Sequence, residues 1–370
     1  GDNPKDNKYK RAGKLLGQWL KEKVLVRDAK PCVYVYRQIY LHHGKRRTRT
    51  GFLSLMKIEN PGNTKVLPHE YTLARPKVDR LNLIKAVKAN LSPIFAVYYD
   101  KNSVICRKLK RHAGAAPVDA RAEIDGVVHQ MWKISDAGTI AAVKKAMSGK
   151  KVVIADGHHR YEVARTYRDL MRGRKNYNGN ADYLMVFFTN LKEAGNVTIL
   201  PTHRLIKDIS GLNKESFRAV TEKFFDVENV PDLGTVLEKL EKGNARPCYG
   251  VYFGGNEYLF VSIKDKVNIS RLNPEYGKSS GWKRLDVTVL HNFLIRNLLS
   301  LKDAEDNVKY VKQPEDAAAF VDNGDYGIAF LMNPTKARQV KDVAERGEIM
   351  PQKSTYFYPK LLTGLVINKF

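Results

Sequence analysis

Residues 152–161 read Val-Val-Ile-Ala-Asp-Gly-His-His-Arg-Tyr. Val152 to Ala155 form an apolar run with β-branched residues, the pattern of a buried strand. Asp156-Gly157 breaks the run. Val163, Ala164, Tyr167, Leu170 and Met171 then recur at helical spacing, so a helix follows. Asp156, Gly157, His158, His159 and Arg160 therefore lie where a strand turns into a helix N-terminus. Backbone N–H groups there lack intrahelical partners, and the helix dipole favours anions, phosphate above all. His and Arg add N–H donors suited to phosphate oxygens. The alternative is an N-cap Asp followed by two surface histidines, which leaves both His and Arg without a role.

The turn lacks Gly-x-x-x-x-Gly-Lys-Ser/Thr and Gly-x-Gly-x-x-Gly, so it is neither a Walker loop nor a dinucleotide fingerprint. His-Glu-x-x-His is also missing. Adjacent His158 and His159 cannot both aim at one ion from a regular helix, which argues against a hydrolytic metal site. Asp156 can orient a histidine or hold Mg²⁺, which takes one or two carboxylates plus phosphate oxygens. No Gly-x-Ser-x-Gly elbow is present.

Working outward, strands are expected at 32–41 and 50–58, as a hairpin with a basic tip around His42-His43-Gly44-Lys45. A polar Pro-Gly-Asn loop follows at 61–63. Further strands are expected at 94–99, 128–134, 183–189 and 197–205. Helices are expected around Leu15 to Leu20, at 79–90 and at 137–147. Pro93 stops the second of these. Apolar strands interleaved with helices give an α/β or mixed α+β class. After about 210 the character changes, to helices at 213–225 and 233–242 and a hairpin at 249–263 turning on Gly254-Gly255-Asn256. A helix carrying Leu290, Phe293, Leu294 and Leu298 and a strand at 327–332 complete this part. Two domains are expected, 1–210 as the nucleotide-binding core and 211–370 as an α+β domain. The tail loop 350–360 of the latter returns to the site.

The 370 residues carry 64 Lys+Arg against 39 Asp+Glu, a net charge of +25. Such a balance points to an anionic partner. The basic residues are scattered, however, and no helix-turn-helix or coherent basic face is visible, so nucleic acid is not expected. Three separated cysteines fit a reducing cytoplasm rather than a disulfide framework or zinc site. No apolar run approaches the ~18 residues of a membrane span, and no signal peptide is visible. A cytoplasmic protein without a membrane partner is expected.

Four other clusters can carry chemistry. His69-Glu70 follows a strand, and Glu70 is a general base if the fold brings it to the phosphate site, or else a surface carboxylate. Lys77, Asp79 and Arg80 bind anions or simply open a helix, with Asp79 as cap. Asn90 and Ser92 suit either a substrate or a helix stop. Lys353-Ser354-Thr355 can close over a phosphate, or the aromatics beside them pack the tail.

Together, Pro-His-Glu at 68–70, Lys-x-Asp-Arg at 77–80, Asn-x-Ser-Pro-Ile at 90–94, Ala-Asp-Gly-His-His-Arg-Tyr at 155–161, His-Arg at 203–204 and Met-Pro-Gln-Lys-Ser-Thr-Tyr-Phe at 350–357 resemble a prokaryotic family known as domain of unknown function 1015. Its members carry a further N-terminal segment, and this chain opens on Gly1 rather than Met, so a preceding segment is expected. The Asp-Gly-His-His-Arg turn is also similar to the nucleotide-phosphate turn of the ParB–sulfiredoxin superfamily, which includes kinases of free L-serine. That resemblance implies a ParB/sulfiredoxin-like core with additional strands and helices, and a phosphotransferase. It implies transfer of phosphate from ATP or ADP, with Mg²⁺, to the hydroxyl of L-serine or a similar small compound. Asp156, Gly157, His158, His159 and Arg160 match the turn. The expected catalytic residues are Glu70 as base, Asp156 (also the candidate Mg²⁺ ligand) and His159. Lys77, Arg80, Lys353, Ser354 and Thr355 join the turn as phosphate-binding candidates. His69, Asn90, Ser92, His203 and Arg204 are substrate-binding candidates. The competing expectation is a non-catalytic, nucleotide-dependent ParB-like binding or regulatory protein.

Overall fold

The computed structural model describes residues 2–3, 6–60, 62, 65–72, 74–193, 195–272, 275–301 and 307–370, without the side chains of 74 and 75. Residues 61 and 63 of the expected polar loop lie outside the described residues. The chain is mixed α/β and packs as two units, Gly1–Thr198 with Pro359–Phe370, and Ile199–Tyr358.

An eight-stranded mixed sheet organises the first unit. Its order is Val66–Leu67, Val152–Asp156, Ile94–Tyr98, Tyr183–Asn190, Lys45–Lys57, Val33–His42, Val127–Ile134 and Ala120–Ile124. Two pairings are parallel, Val66–Leu67 with Val152–Asp156 and Ile94–Tyr98 with Tyr183–Asn190. The expected basic-tipped hairpin is present, with His42 opposite Lys45. His43 and Gly44 turn it at φ 49° and 68°, the left-handed pair that matches strand twist. The second strand starts at Lys45, earlier than expected, because the alternating basic residues continue the ladder to the tip.

Val152, Val153, Ile154 and Ala155 are all buried. The strand therefore has core on both faces, which is why its sequence is continuously apolar rather than alternating. Burial of each large member contributes about 2 kcal/mol. The helix that follows, His158–Arg172, places Tyr161 and Ala164 in the main core and Val163 and Tyr167 against Ile84 and Ala181. The fixed strand and the packed helix together hold the turn between them.

The helix Ala74–Val87 begins before its expected start at 79. The helix Val104–Ala115 was not expected. Its buried stripe of Ile105, Cys106, Leu109 and Ala113 is interrupted in sequence by Arg107, Lys108, Lys110 and Arg111, which face outward or sit at the rim. The C-terminal segment pairs Asn368 with Asn90, and Phe370 stacks on Tyr167. Buried Arg49 donates to the carbonyls of Asn196 and Pro359 and to Gln38, which anchors the start of that segment.

The second unit has a six-stranded antiparallel sheet in the order Phe225–Val230, Tyr258–Ile263, Cys248–Tyr252, Ile328–Met332, His203–Ile206 and Val308–Val311. Three sequence expectations differ here. The strand expected at 197–205 is split at Pro201-Thr202 into Thr198–Leu200 and His203–Ile206, because Pro cannot donate to a ladder. His203–Ile206 then pairs inside the second sheet. The helix expected at 213–225 ends at Thr221, and Phe225–Val230 is an edge strand. The tail expected to be a loop contains the short strand Tyr356–Tyr358. Among the described residues, no helix is long and apolar enough to cross a membrane.

Candidate functional site

Gly157 makes the turn. Its φ of 96° is left-handed, a conformation an L side chain adopts only with strain. A Cβ there would also lie 2.9–3.1 Å from the guanidinium of Arg160. That guanidinium folds back over the glycine, donates to Asp156 Oδ2 at 2.7 Å and donates to the carbonyl of Pro93. Lys360 Nζ donates to Asp156 Oδ1 at 2.9 Å. Each oxygen of Asp156 thus faces a cation. Burial lowers the pKa of Arg160, and the Asp156 carboxylate works in the opposite direction.

His158 does not face this arrangement. Its ring is buried and meets His69 edge-on, with centroids 4.6 Å apart. Burial, with the neighbouring His69, His159 and Arg160, holds its pKa well below the ordinary histidine value. The neutral ring accepts the backbone N–H of His69 at Nε2, 3.2 Å away. Its proton therefore sits on Nδ1. Nδ1 lies 3.8 Å from Glu70 Oε2. His158 ties the Glu70 loop to the first residue of the helix, and its ring nitrogens are directed to that task rather than to a phosphate. His69 is fully buried, and burial pushes it down to about 4, partly offset by its bond to the Ile154 backbone and by Asp156. It braces the Glu70 loop against the strand Val152–Asp156.

Lys77 Nζ and Thr72 Oγ1 both donate to Glu162 Oε2, at 3.1 and 2.7 Å. Burial raises the Glu162 carboxyl, but these two donors outweigh it and hold the group below its usual value. Asp79 pairs with Lys8 and Tyr9 rather than capping a helix.

Two clefts flank the helix start. The larger, about 370 Å³, is lined by Arg80, Asn90, Ser92, Asp156, Arg160 and Lys360 over an apolar floor that includes Leu83, Ile84 and Val163. Three of the expected candidates, Arg80, Asn90 and Ser92, meet Asp156 and Arg160 in the wall of this cleft. Asn90 is structural as well, since its Oδ1 accepts from the Met185 backbone and from Asn368. Ser92 exchanges a 2.7 Å hydrogen bond with Thr363. The smaller cleft, about 180 Å³, is lined by Glu59, His158, Glu162 and Arg165, among others. His159 is half-buried in the first helical turn.

The remaining candidates belong to the second unit. His203 is buried and accepts the Met332 N–H at Nδ1. Arg204 is buried and donates to His291 Nε2 at 3.2 Å and to the Lys353 carbonyl at 3.0 Å. It stacks on Tyr310. Lys353 adopts φ 55°, and the Ser354 hydroxyl donates to the Pro351 carbonyl. Thr335 donates to the Ser354 carbonyl. Arg204 thus braces the 353–355 loop of its own unit, where Thr355 also lies, while His203 is tied to the strand Ile328–Met332.

Sequence reasoning missed Lys360 and the Pro93 carbonyl as parts of the Asp156–Arg160 assembly. Lys360 carried a weak signal, a cation closing an aromatic, hydroxyl-rich tail, but no spacing relates it to residue 156. A backbone carbonyl carries none.

Among the described residues no group of three or more His, Cys, Asp or Glu side chains is placed to hold a metal ion. Asp156, with a cation on each oxygen, does not fit the expected Mg²⁺ role as it stands.

The family model described as "Protein of unknown function (DUF1015)" matches residues 1–288. No curated protein matches the chain. Among solved structures, a free serine kinase in complex with AMP is similar at 14% identity and a TM-score of 0.39, covering 82% of this chain and 86% of its own. A conserved hypothetical protein from Pyrococcus furiosus is similar at 14% identity and a TM-score of 0.40, over 84% of this chain and 92% of its own. C-terminally truncated SbnI from Staphylococcus aureus is similar at 12% identity and a TM-score of 0.39, over 84% and 85%. With its model spanning residues 1–288 of 370, this chain belongs to the DUF1015 family.

Proposed function

We propose that the first unit is a small-molecule kinase that moves phosphate from a nucleotide, ATP or ADP, to the hydroxyl of free L-serine or a similar compound. The observation that carries the reading is the buried, neutral His158 at the head of the helix. From the first residue of the helix after the turn, its Nε2 accepts the His69 N–H and its Nδ1 faces the Glu70 carboxylate at 3.8 Å. A candidate base and a candidate phosphate cradle are thereby held by one side chain.

Phosphoryl transfer asks mainly for positioning and charge stabilisation. Arg160, Lys360 and Arg80 line one cleft with the helix N-terminus and supply positive charge to nucleotide phosphates. Gly157 lets backbone and ligand approach closely. Asp156 fixes Arg160 and Lys360 in place, and His159 sits in the same helical turn. Glu70 accepts the proton of the attacking hydroxyl. Asn90 and Ser92 form the wall of the cleft. Lys77 acts through Glu162, which it neutralises in part. No step is assigned to Mg²⁺. Lys353, Ser354 and Thr355, expected as phosphate contacts, and His203 and Arg204, expected as substrate contacts, belong to the second unit, and no step at this cleft is assigned to them.

The test is a coupled assay of the purified chain with ATP or ADP, Mg²⁺ and L-serine, read as phosphoserine. Glu70→Gln is expected to abolish product while nucleotide binding by calorimetry persists. Absence of both product and nucleotide binding in the unmodified protein refutes the proposal.

A further inference from the structure

The second unit contains a cleft of about 540 Å³ lined by five cationic side chains, Arg246, Lys264, Lys266, Arg284 and Lys336, and two carboxylates, Asp265 and Asp286. Its size falls within the ordinary range for small-ligand sites. Three of the cations are engaged within the protein. Arg246 pairs with Asp265, Lys264 donates to the Glu222 carbonyl, and Lys336 donates to the Asn244 carbonyl at 2.7 Å. The side chains of Lys266 and Arg284 make no hydrogen bond or ion pair with any described residue.

Asp286 is the unusual member. It is half-buried in the cleft wall, and the Tyr249 hydroxyl donates to its backbone carbonyl at 2.7 Å, which fixes its place. Its carboxylate has no hydrogen bond to another described residue, and Lys336 is its nearest charged influence. Burial pushes it up to about 6, so it is charged near neutral pH at a desolvation cost. A desolvated carboxylate with no donor from another described residue, in a cleft with two cationic side chains unengaged among those residues, suits a ligand that brings both charges.

We propose that this cleft binds a small phosphomonoester bearing an amine, with the phosphate on Lys266 and Arg284 and the ammonium on Asp286. The proposal concerns the second unit alone and does not depend on the kinase reading. The probes are O-phosphoethanolamine and inorganic phosphate, titrated into the full chain by calorimetry. O-phosphoethanolamine binding is expected in the unmodified protein. The double variant K266A/R284A, which alters two exposed side chains, is expected to weaken it at least about tenfold, as loss of charge-assisted bonds implies. Asp286→Asn is expected to weaken O-phosphoethanolamine about tenfold and to leave inorganic phosphate unchanged or tighter. Arg160→Ala, in the first unit, is expected to leave O-phosphoethanolamine binding in place, whereas inorganic phosphate held by the first unit's cleft weakens. Equal affinity in K266A/R284A and the unmodified protein overturns the proposal, as does loss of the binding in Arg160→Ala. An Asp286→Asn effect of the same size on both probes also overturns it.

Discussion

Replacing Gly157 by Ala perturbs the site in two separable ways. The first is backbone strain, since φ 96° is left-handed, and such a conformation costs an L-residue about 1–2 kcal/mol. The second is collision, because the new Cβ meets the Arg160 guanidinium at 2.9–3.1 Å. The guanidinium is the far end of a flexible side chain, so it moves aside, and its bonds to Asp156 and the Pro93 carbonyl are lost. Those bonds are charge-assisted but about one-quarter to one-third exposed, which reduces their worth to about 1–2 kcal/mol. The total for Gly157→Ala is therefore about 2–4 kcal/mol, while in an Arg160→Ala background only the strain of about 1–2 kcal/mol remains. The cycle is read from hydrogen exchange of the Val152–Asp156 amides, which reports the first unit without assuming that both units unfold together. A coupling near zero would refute the account of Arg160 packing over Gly157. A Gly157→Ala cost below about 0.5 kcal/mol would refute the left-handed turn itself.

Lys360→Ala should change stability by less than about 1 kcal/mol, because its ion pair with Asp156 is nearly half exposed, yet weaken nucleotide binding by calorimetry; a large stability loss with intact binding would make the lysine purely structural. Arg49→Met should cost about 3 kcal/mol or more by leaving the buried Gln38, Asn196 and Pro359 acceptors without their donor, seen as faster exchange of the C-terminal segment. His69 is held at about 4 in the fold against 6.5 for the free side chain, so its stabilising contribution is complete above pH 6.5 and is lost as pH falls toward 4. That gap corresponds to about 3 kcal/mol. Urea midpoints of His69→Asn should therefore fall less steeply between pH 7 and 5 than those of the unmodified chain; an equal slope would contradict the assignment.

The local character of the central turn was legible because three signals coincide there. A continuous apolar run, a glycine and a helical stripe all lie within 20 residues, and the structure realises each, save that Leu170 of the stripe is exposed. The clustering of Arg80, Asn90 and Ser92 at the same cleft was legible only as a resemblance, since their approach depends on a sheet order that places Ile94–Tyr98 beside Val152–Asp156. Periodicity could not find the helix Val104–Ala115, whose apolar stripe is narrow and embedded in basic residues. Nor could it place His203-Arg204, a buried pair whose arginine braces the 353–355 loop. A buried arginine satisfied by carbonyls and a histidine reads in sequence like a ligand-binding one. The role of His158 shows the same ambiguity. In sequence it is one of two equivalent histidines, and only the backbone N–H of His69 at its Nε2 separates a positioning ring from a phosphate donor.

The most direct measurement is phosphoserine formation from ATP or ADP and L-serine by the unmodified chain, beside Glu70→Gln and Arg160→Ala. The account predicts product from the unmodified chain and none from Glu70→Gln with nucleotide binding retained. It predicts weakened nucleotide binding in Arg160→Ala. Product from Glu70→Gln at the unmodified rate, or no nucleotide binding by the unmodified chain, would contradict it.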